Sequence, residues 1–335
     1  MVDEYKEHYS VLKKECLDYL YLDSEEHDQL LFADCTFGAG GHSLAIVKRD
    51  IKAKLISFDQ DPDALKNGRE LIKKNGVEDR LFLHDSNFCH FENIVMGNHA
   101  DLVKENGGLN GVLLDLGVSS HHFDEGSRGF SFRVDAPLDM RMDYDNDSIQ
   151  TAKDIINRYS AQDLANLFRD YGEEKYAWRI AERIVLERDK NGPINTTFQL
   201  AELIKDCYPK KLQFGRIHPA TKCFQALRIE VNRELDVITD VINQVLPLLK
   251  IGGRILIISF HSLEDRIVKK LFKDYEKNGL GEMLFENEVK KPIIPSDEEI
   301  AENSRSRSAK LRILKRVVSK KSKNKYEKFS KIENE

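Results

Sequence analysis

Leu31-Phe-Ala-Asp-Cys-Thr-Phe-Gly-Ala-Gly-Gly-His-Ser43 is the stretch whose reading decides the fold. Its apolar start ends in Asp34, a glycine loop follows at Gly38, Gly40 and Gly41, and residues 43–48 read as a helix. Strand, tight turn and helix in that order form the first unit of a nucleotide-binding α/β domain. Glycine is required where backbone passes close to a ligand, because a Cβ would stand in the way. A second apolar run, Lys54-Leu-Ile-Ser-Phe58, ends in Asp59, where a carboxylate can take ribose hydroxyls. Together the two signals predict an adenosine-containing cofactor at residues 38–42 and Asp59.

A dinucleotide would call for Gly-x-Gly-x-x-Gly, and counted from Gly38 the third glycine falls on Ser43. That glycine normally lets helix and strand close up around a pyrophosphate. Its absence weakens a nicotinamide or flavin reading. An acidic residue before the loop instead suits S-adenosylmethionine, which carries an ammonium and a sulfonium but no phosphate. On this reading Asp34 helps hold the amino-acid end of the cofactor through the loop.

Working outward, apolar runs recur at 31–35, 55–58, 80–83, 111–116 and 254–260, with helical patterns between them. Such alternation predicts an α/β fold, a doubly wound and mostly parallel sheet covered on both faces. The fifth run comes more than a hundred residues after the fourth. Leu164, Leu167, Phe168 and Tyr171 repeat at helical spacing in that gap, after a capping signature at Ser160 and Asp163. Ala177, Ile180, Ala181 and Ile184 do the same, as do Leu200, Leu203, Ile204 and Cys207. These faces need covering, so a small helical domain is expected at 137–220, inserted into a sheet domain made of 1–136 and 221–318. A long helix from Pro219 to about Leu249, stopped by Gly252-Gly253, would return the chain to the fifth run.

Composition is that of an ordinary soluble protein, 41% hydrophobic and 33% charged. No apolar run reaches the length of a membrane span, and the acidic, polar start argues against a secretory signal. Five scattered cysteines without a Cys-x-x-Cys pair read as reduced thiols in a cytoplasmic protein. No metal site is expected. Residues 304–335 hold twelve Lys/Arg against three Asp/Glu, a balance of +9; the remainder holds 40 against 54, or −14. Such a basic tail either contacts nucleic-acid phosphates or is a solvated terminus over 319–335. Leu311, Ile313 and Val317 alternate as in a strand.

Ligands of open parallel sheets bind beyond the carboxyl ends of the strands. Candidates are therefore Asp34 and the loop, Asp59, Phe88 after the third run, Asp115 after the fourth, and His261 after the fifth. Phe88 could stack on adenine or be a core aromatic; Asp115, a carboxylate closing an apolar strand, favours function. The loop after Asp115 carries Arg128, Phe130, Phe132 and Arg133, which could stack on and neutralise a nucleotide or pack a domain junction.

With these residues in place the chain resembles the bacterial small-subunit (16S) ribosomal RNA cytosine-N4 methyltransferases. The matching segments are Thr36-Phe-Gly-Ala-Gly-Gly-His-Ser43, Asp115-Leu-Gly-Val-Ser-Ser120, Arg128-Gly-Phe-Ser-Phe132, Pro137-Leu-Asp-Met-Arg-Met142, His218-Pro-Ala-Thr221, Phe224-Gln-Ala-Leu-Arg228, Ser259-Phe-His-Ser-Leu-Glu-Asp-Arg266 and Ser306-Arg-Ser-Ala-Lys-Leu-Arg312. With His8-Tyr-Ser-Val-Leu-Lys-Lys-Glu15 ahead of them, they run from residue 8 to about 312. The resemblance implies a class I, Rossmann-like methyltransferase fold with a helical substrate-recognition insert. It implies methyl transfer from S-adenosylmethionine to the N4 amine of a cytidine in the decoding region of the small subunit. By position, the cofactor site would be Gly40, Gly41, His42, Asp59, Phe88, Asp115 and His122. The last stands where the family has Gln and can still hydrogen-bond. Arg228, Asn232 and His261 are candidates for the target nucleotide, with Asp115 and Asn232 as catalytic candidates. The amine attacks directly, so no cysteine nucleophile is needed.

The implied partner is the small ribosomal subunit or its RNA, with no membrane; a homodimer is left open. Rival readings are a methyltransferase for protein or small molecules and a non-catalytic, cofactor-sensing RNA-binding protein. A dehydrogenase is weaker because of Ser43.

Overall fold

Leu30–Asp34 (β1) is buried at every position, as a strand covered on both faces must be. It lies near the middle of a seven-stranded sheet in a computed structural model that describes residues 10–22, 29–117, 126–215, 217–286 and 291–318. The other strands are Ala53–Asp59 (β2), Leu81–Asp85 (β3), Leu109–Asp115 (β4), Leu249–Ser259 (β5), Gly281–Leu284 (β6) and Lys310–Arg316 (β7). Their order is β3-β2-β1-β4-β5-β7-β6. Neighbours from β3 through β5 pair in parallel, and β7 runs antiparallel to both β5 and β6. The chain moves outward from β1 to β3, then restarts on the other side of β1 with β4. That reversal opens a crevice at the carboxyl ends of β1 and β4, where open α/β sheets bind ligands.

Three boundaries differ from expectation, each for a local reason. The expected helix over 219–249 is two helices, Thr221–Asn232 and Glu234–Leu248, because Arg233 adopts a left-handed backbone with φ 51°. Gly252 and Gly253 do not stop a helix; they lie inside β5. A Cβ on Gly253 would stand 2.7 Å from the Leu109 carbonyl oxygen, so glycine permits the close approach to β4. β6 was not expected at all, being four residues long.

The chain divides into two compact units, residues 1–117 with 236–335, and residues 118–235. The second unit is wider than the 137–220 expected for the helical insert. Its core joins Phe130, Leu138 and Met140 to Leu164, Phe168, Ile180, Ile184 and Leu200, and on to Phe224 and Leu227. Side chains on both flanks of the expected insert thus share one apolar cluster. Its helices begin as their sequences predict. The Ser160 side chain accepts from the Asp163 amide, and Thr196 and Gln199 form a reciprocal capping box. An equivalent box at Thr151 and Asp154 starts the helix Ala152–Arg158. Among the described residues no helix is long and apolar enough to cross a membrane.

Candidate active site

The glycine loop is fixed from three sides. The Cys35 amide donates to the Leu113 carbonyl (2.9 Å) and the Phe37 amide to the Phe58 carbonyl (2.8 Å). The Gly38 amide donates to Asp59 Oδ2 at 2.7 Å. Two of the glycines serve different ends. A Cβ on Gly40 (φ 76°) would meet the Phe37 ring and Leu71 at 2.7 Å, so packing demands its absence. Gly38 (φ 52°) has no atom within 4 Å of where its Cβ would stand. That open space over left-handed backbone is the cradle a close-bound ligand requires. The helix Gly41–Arg49 starts immediately after.

Asp34 lies beneath this loop and not at its surface. It is fully buried, and Oδ2 accepts from the Ser43 hydroxyl at 2.7 Å. Oδ1 accepts from the Thr36 amide (3.1 Å) and hydroxyl (3.3 Å). Ser43 also shares a 3.0 Å hydrogen bond with Ser57. Asp34 therefore anchors the loop from below. Ser43 replaces the dinucleotide fingerprint's third glycine because its hydroxyl answers a buried carboxylate. Burial pushes the Asp34 carboxyl up to about 7; hydrogen bonds from Ser43 and Thr36 work against the rise, and the Asp59 charge adds to it.

Asp115 ends β4 beside this network. Its amide donates to Thr36 Oγ1 at 2.7 Å, so one threonine ties Asp34 to the backbone of Asp115. Burial raises the Asp115 carboxyl to about 7, opposed by the Gly117 amide and reinforced by the Asp34 and Glu264 charges. The side chain keeps 22% of its surface accessible. Oδ1 is enclosed and has no hydrogen-bond partner among the described residues. His42, in the first turn after the loop, brings Nε2 to 3.8 Å from Asp115 Oδ2. Thr36 and Glu264 are contributors that residue-by-residue reading missed. Thr36 sits in the turn between Asp34 and the glycines, and Glu264 stands three residues after His261, the spacing of a helix cap.

Asp59 has Oδ2 on the Gly38 amide and Oδ1 on the Asp61 amide (2.9 Å), which sets the carboxylate at the tip of β2 beside the loop. Phe88 begins a short 3-10 turn after β3 that Asn87 caps, and its side chain is half-buried. Gly38, Gly40, Gly41, His42, Asp59 and Asp115 are thus drawn to the carboxyl edge of β1, β2 and β4. Phe88 follows β3 at the same edge. His122 lies outside the described residues.

The residues expected to meet the target nucleotide are committed elsewhere. Arg228 forms a bidentate pair with Glu234, at 2.7 and 2.8 Å. Asn232 donates to the carbonyls of Met140 (2.8 Å) and Arg228 (2.9 Å) and accepts from the Met142 amide (2.8 Å). Its amide pins the 140–142 loop, a positioning duty. His261 caps the helix Ser262–Lys277, and Glu264 accepts from the Phe260 amide at 2.8 Å. Arg128 is buried, donating to the carbonyls of Arg141 and Met142 and lying over Tyr144. Phe130 is buried, and Phe132 packs on His218 and Phe224. Packing is therefore what the structure displays for these three residues, while Arg133 is exposed. Burial raises the thiols of Cys16, Cys35 and Cys223 well above their ordinary range, which removes them as nucleophiles.

A β3-β2-β1-β4-β5-β7-β6 sheet with an antiparallel β7, and an acid-flanked glycine loop at its switch point, define an α/β methyltransferase fold of class I. Residues 5–317 match the model of the MraW methylase family, and the chain belongs to that family of enzymes. It is 47% identical over 311 residues to the "Ribosomal RNA small subunit methyltransferase H" of Sulfurihydrogenibium sp., covering 93% of this chain and 99% of that one. Proteins of the same name from Finegoldia magna and Clostridioides difficile are 43% and 45% identical, covering 93% and 92% of this chain and 99% of each relative.

Proposed function

We propose that this methylase transfers a methyl group from S-adenosylmethionine to the N4 amine of a cytidine in small-subunit ribosomal RNA. The observation that carries the reading is the charge of the cleft. Asp59 and Asp115 flank the loop, with Asp34 beneath it and Glu264 near enough to act on Asp115. Carboxylates so placed attract a cofactor bearing an ammonium and a sulfonium and repel a pyrophosphate. The open space over Gly38 and the enclosed, unanswered Oδ1 of Asp115 fit a bound nucleoside of that kind. The names of the relatives support small-subunit ribosomal RNA as the substrate. The choice of cytidine N4 rests on the motif resemblance.

When bound, S-adenosylmethionine supplies a sulfonium methyl that an amine can take without a covalent enzyme intermediate. Asp59, already oriented by two amides, presents its remaining lone pairs to ribose hydroxyls. Phe88 offers an apolar face to adenine. Asp115 is the group we assign to take up the amine's proton, through the part of its side chain that stays accessible. Within the helical unit Arg228 pairs with Glu234 and Asn232 holds the 140–142 backbone; within the sheet unit His261 caps its helix. The enzyme works in the cytoplasm, where small subunits are assembled.

Nucleoside mass spectrometry of ribosomal RNA from cells with and without the gene tests this reading. Loss of N4-methylated cytidine is expected; an unchanged profile would overturn it.

A further inference from the structure

We propose that one end of the helical unit docks an unpaired segment of RNA, with Phe214 and Trp178 as stacking faces and Arg179, Lys205, Lys210 and Lys211 as phosphate ligands. The inference rests on the ribosomal RNA reading above and assigns a separate surface to it.

Two helices meet at this end. The helix Ala177–Asn191 begins where Thr197–Asp206 finishes: the Tyr176 and Tyr208 rings lie 4.6 Å apart, and Cys207 Sγ is 4.0 Å from the Arg179 carbonyl. The Arg179 and Arg183 charges both act on the Cys207 thiol, which places them at the same junction. A short turn, Lys210–Leu212, then carries the chain to Phe214.

The aromatics here are left in water. Phe214 is 82% exposed and Trp178 51%, where folding ordinarily covers such rings. Lys205 Nζ sits 5.5 Å from the Phe214 ring centroid, so cation and π-face are already juxtaposed. Lys210 and Lys211 are exposed, and among the described residues neither these two nor Arg179 forms an ion pair. Lys205 and Arg183 pair only with acids of their own helices, Glu202 at 3.0 Å and Glu187 at 3.1 Å. Exposed pairs of this sort are weak and exchange readily for phosphate. Besides Glu187 and Glu202, the opposing charges in the two helices are Glu182, Asp189 and Asp206.

Cations interleaved with exposed rings match a chain that alternates phosphates with planar bases. A duplex would hide its bases from these rings, so a loop or single strand is the occupant. A protein partner would cover the rings but would leave the lysines unanswered unless it were acidic.

Trp178 is the only tryptophan in the chain, so its emission reports directly on this surface. The full-length protein is titrated with a mixed-sequence oligoribonucleotide of about 12 nucleotides, a length within the footprint of such sites. We expect quenching that weakens with salt. In Lys210→Ala/Lys211→Ala the slope of log affinity against log salt should shrink by about 1.4, because each single-strand phosphate left without its lysine removes about 0.7. Lys210→Glu/Lys211→Glu/Phe214→Ala should raise KM for isolated small subunits about ten-fold, the worth of one base stack or more, with kcat and S-adenosylmethionine affinity unchanged. Phe214→Tyr alone, which keeps a stacking ring, should keep the wild-type KM. Unmoved Trp178 emission together with a wild-type KM in the triple variant overturns the proposal. So does a triple variant that loses small subunits yet binds the oligoribonucleotide normally, because the surface would then be meeting protein. If the wild type shows the expected oligonucleotide signature but methylates no ribosomal RNA, the functional reading fails and the docking surface stands.

Discussion

Asp59 holds two backbone amides and still faces the cleft, so its removal should weaken the ligand site more than the sheet. Asp59→Ala is expected to lose about 1.5–3 kcal/mol of S-adenosylmethionine affinity, the worth of hydrogen bonds to a charged group. Calorimetry on the folded variant checks this, and unchanged affinity would mean that the ribose lies elsewhere. Asp34 and Asp115 make a second prediction through pH. Both carboxyls are raised to about 7 from 3.8, so the protonated forms favour folding. Their contribution is fully present below about pH 4 and is lost as pH rises through 7. In thermal melts of the free protein, Asp115→Asn should exceed wild type by a margin that grows from pH 4 to 7 and then levels off. A constant margin would show that Asp115 is not held protonated. A cationic cofactor favours the ionised form, so affinity for it should rise with pH through about 7. At this scale the sequence disclosed which residues gather at the cleft but not their division of labour. Asp34 before the loop was visible, whereas its burial beneath Ser43 depends on β1 and β2 lying side by side.

Among elements, β1, β2, β4 and β5 were legible because burial on both faces leaves them little choice of residue. β6 was not, since Gly281-Glu-Met-Leu284 is too short to show a period and owes its place to β7. The break at Arg233 was invisible for another reason. Apolar spacing continues across it, from Phe224, Leu227 and Val231 to Ile238 and Val241, and no glycine or proline marks it. The left-handed backbone there yields a test. Arg233→Val should cost about 1–2 kcal/mol, because a β-branched residue fits that region poorly. Arg233→Gly should remain within about 1 kcal/mol of wild type, its backbone freedom offsetting the strain relieved. Chemical denaturation of both variants decides it; equal losses would show that the arginine side chain, and not the backbone, matters at this position.

For the molecule as a whole, the delay between the fourth and fifth strands announced an inserted unit, but its limits followed from packing. Phe130 on one flank and Phe224 and Leu227 on the other complete a core that the expected insert confined to the middle. The sheet unit presents an acidic crevice for a cationic nucleoside, and the helical unit exposes rings and lysines to solvent. Joined in one chain, they suit an enzyme that modifies a large, anionic substrate with a small, cationic donor. The most direct test is to incubate the protein with unmethylated small subunits and S-adenosylmethionine deuterated at the methyl group, then digest the RNA to nucleosides for mass spectrometry. The account predicts the label in N4-methylcytidine. Label in any other nucleoside, or in none, would contradict it.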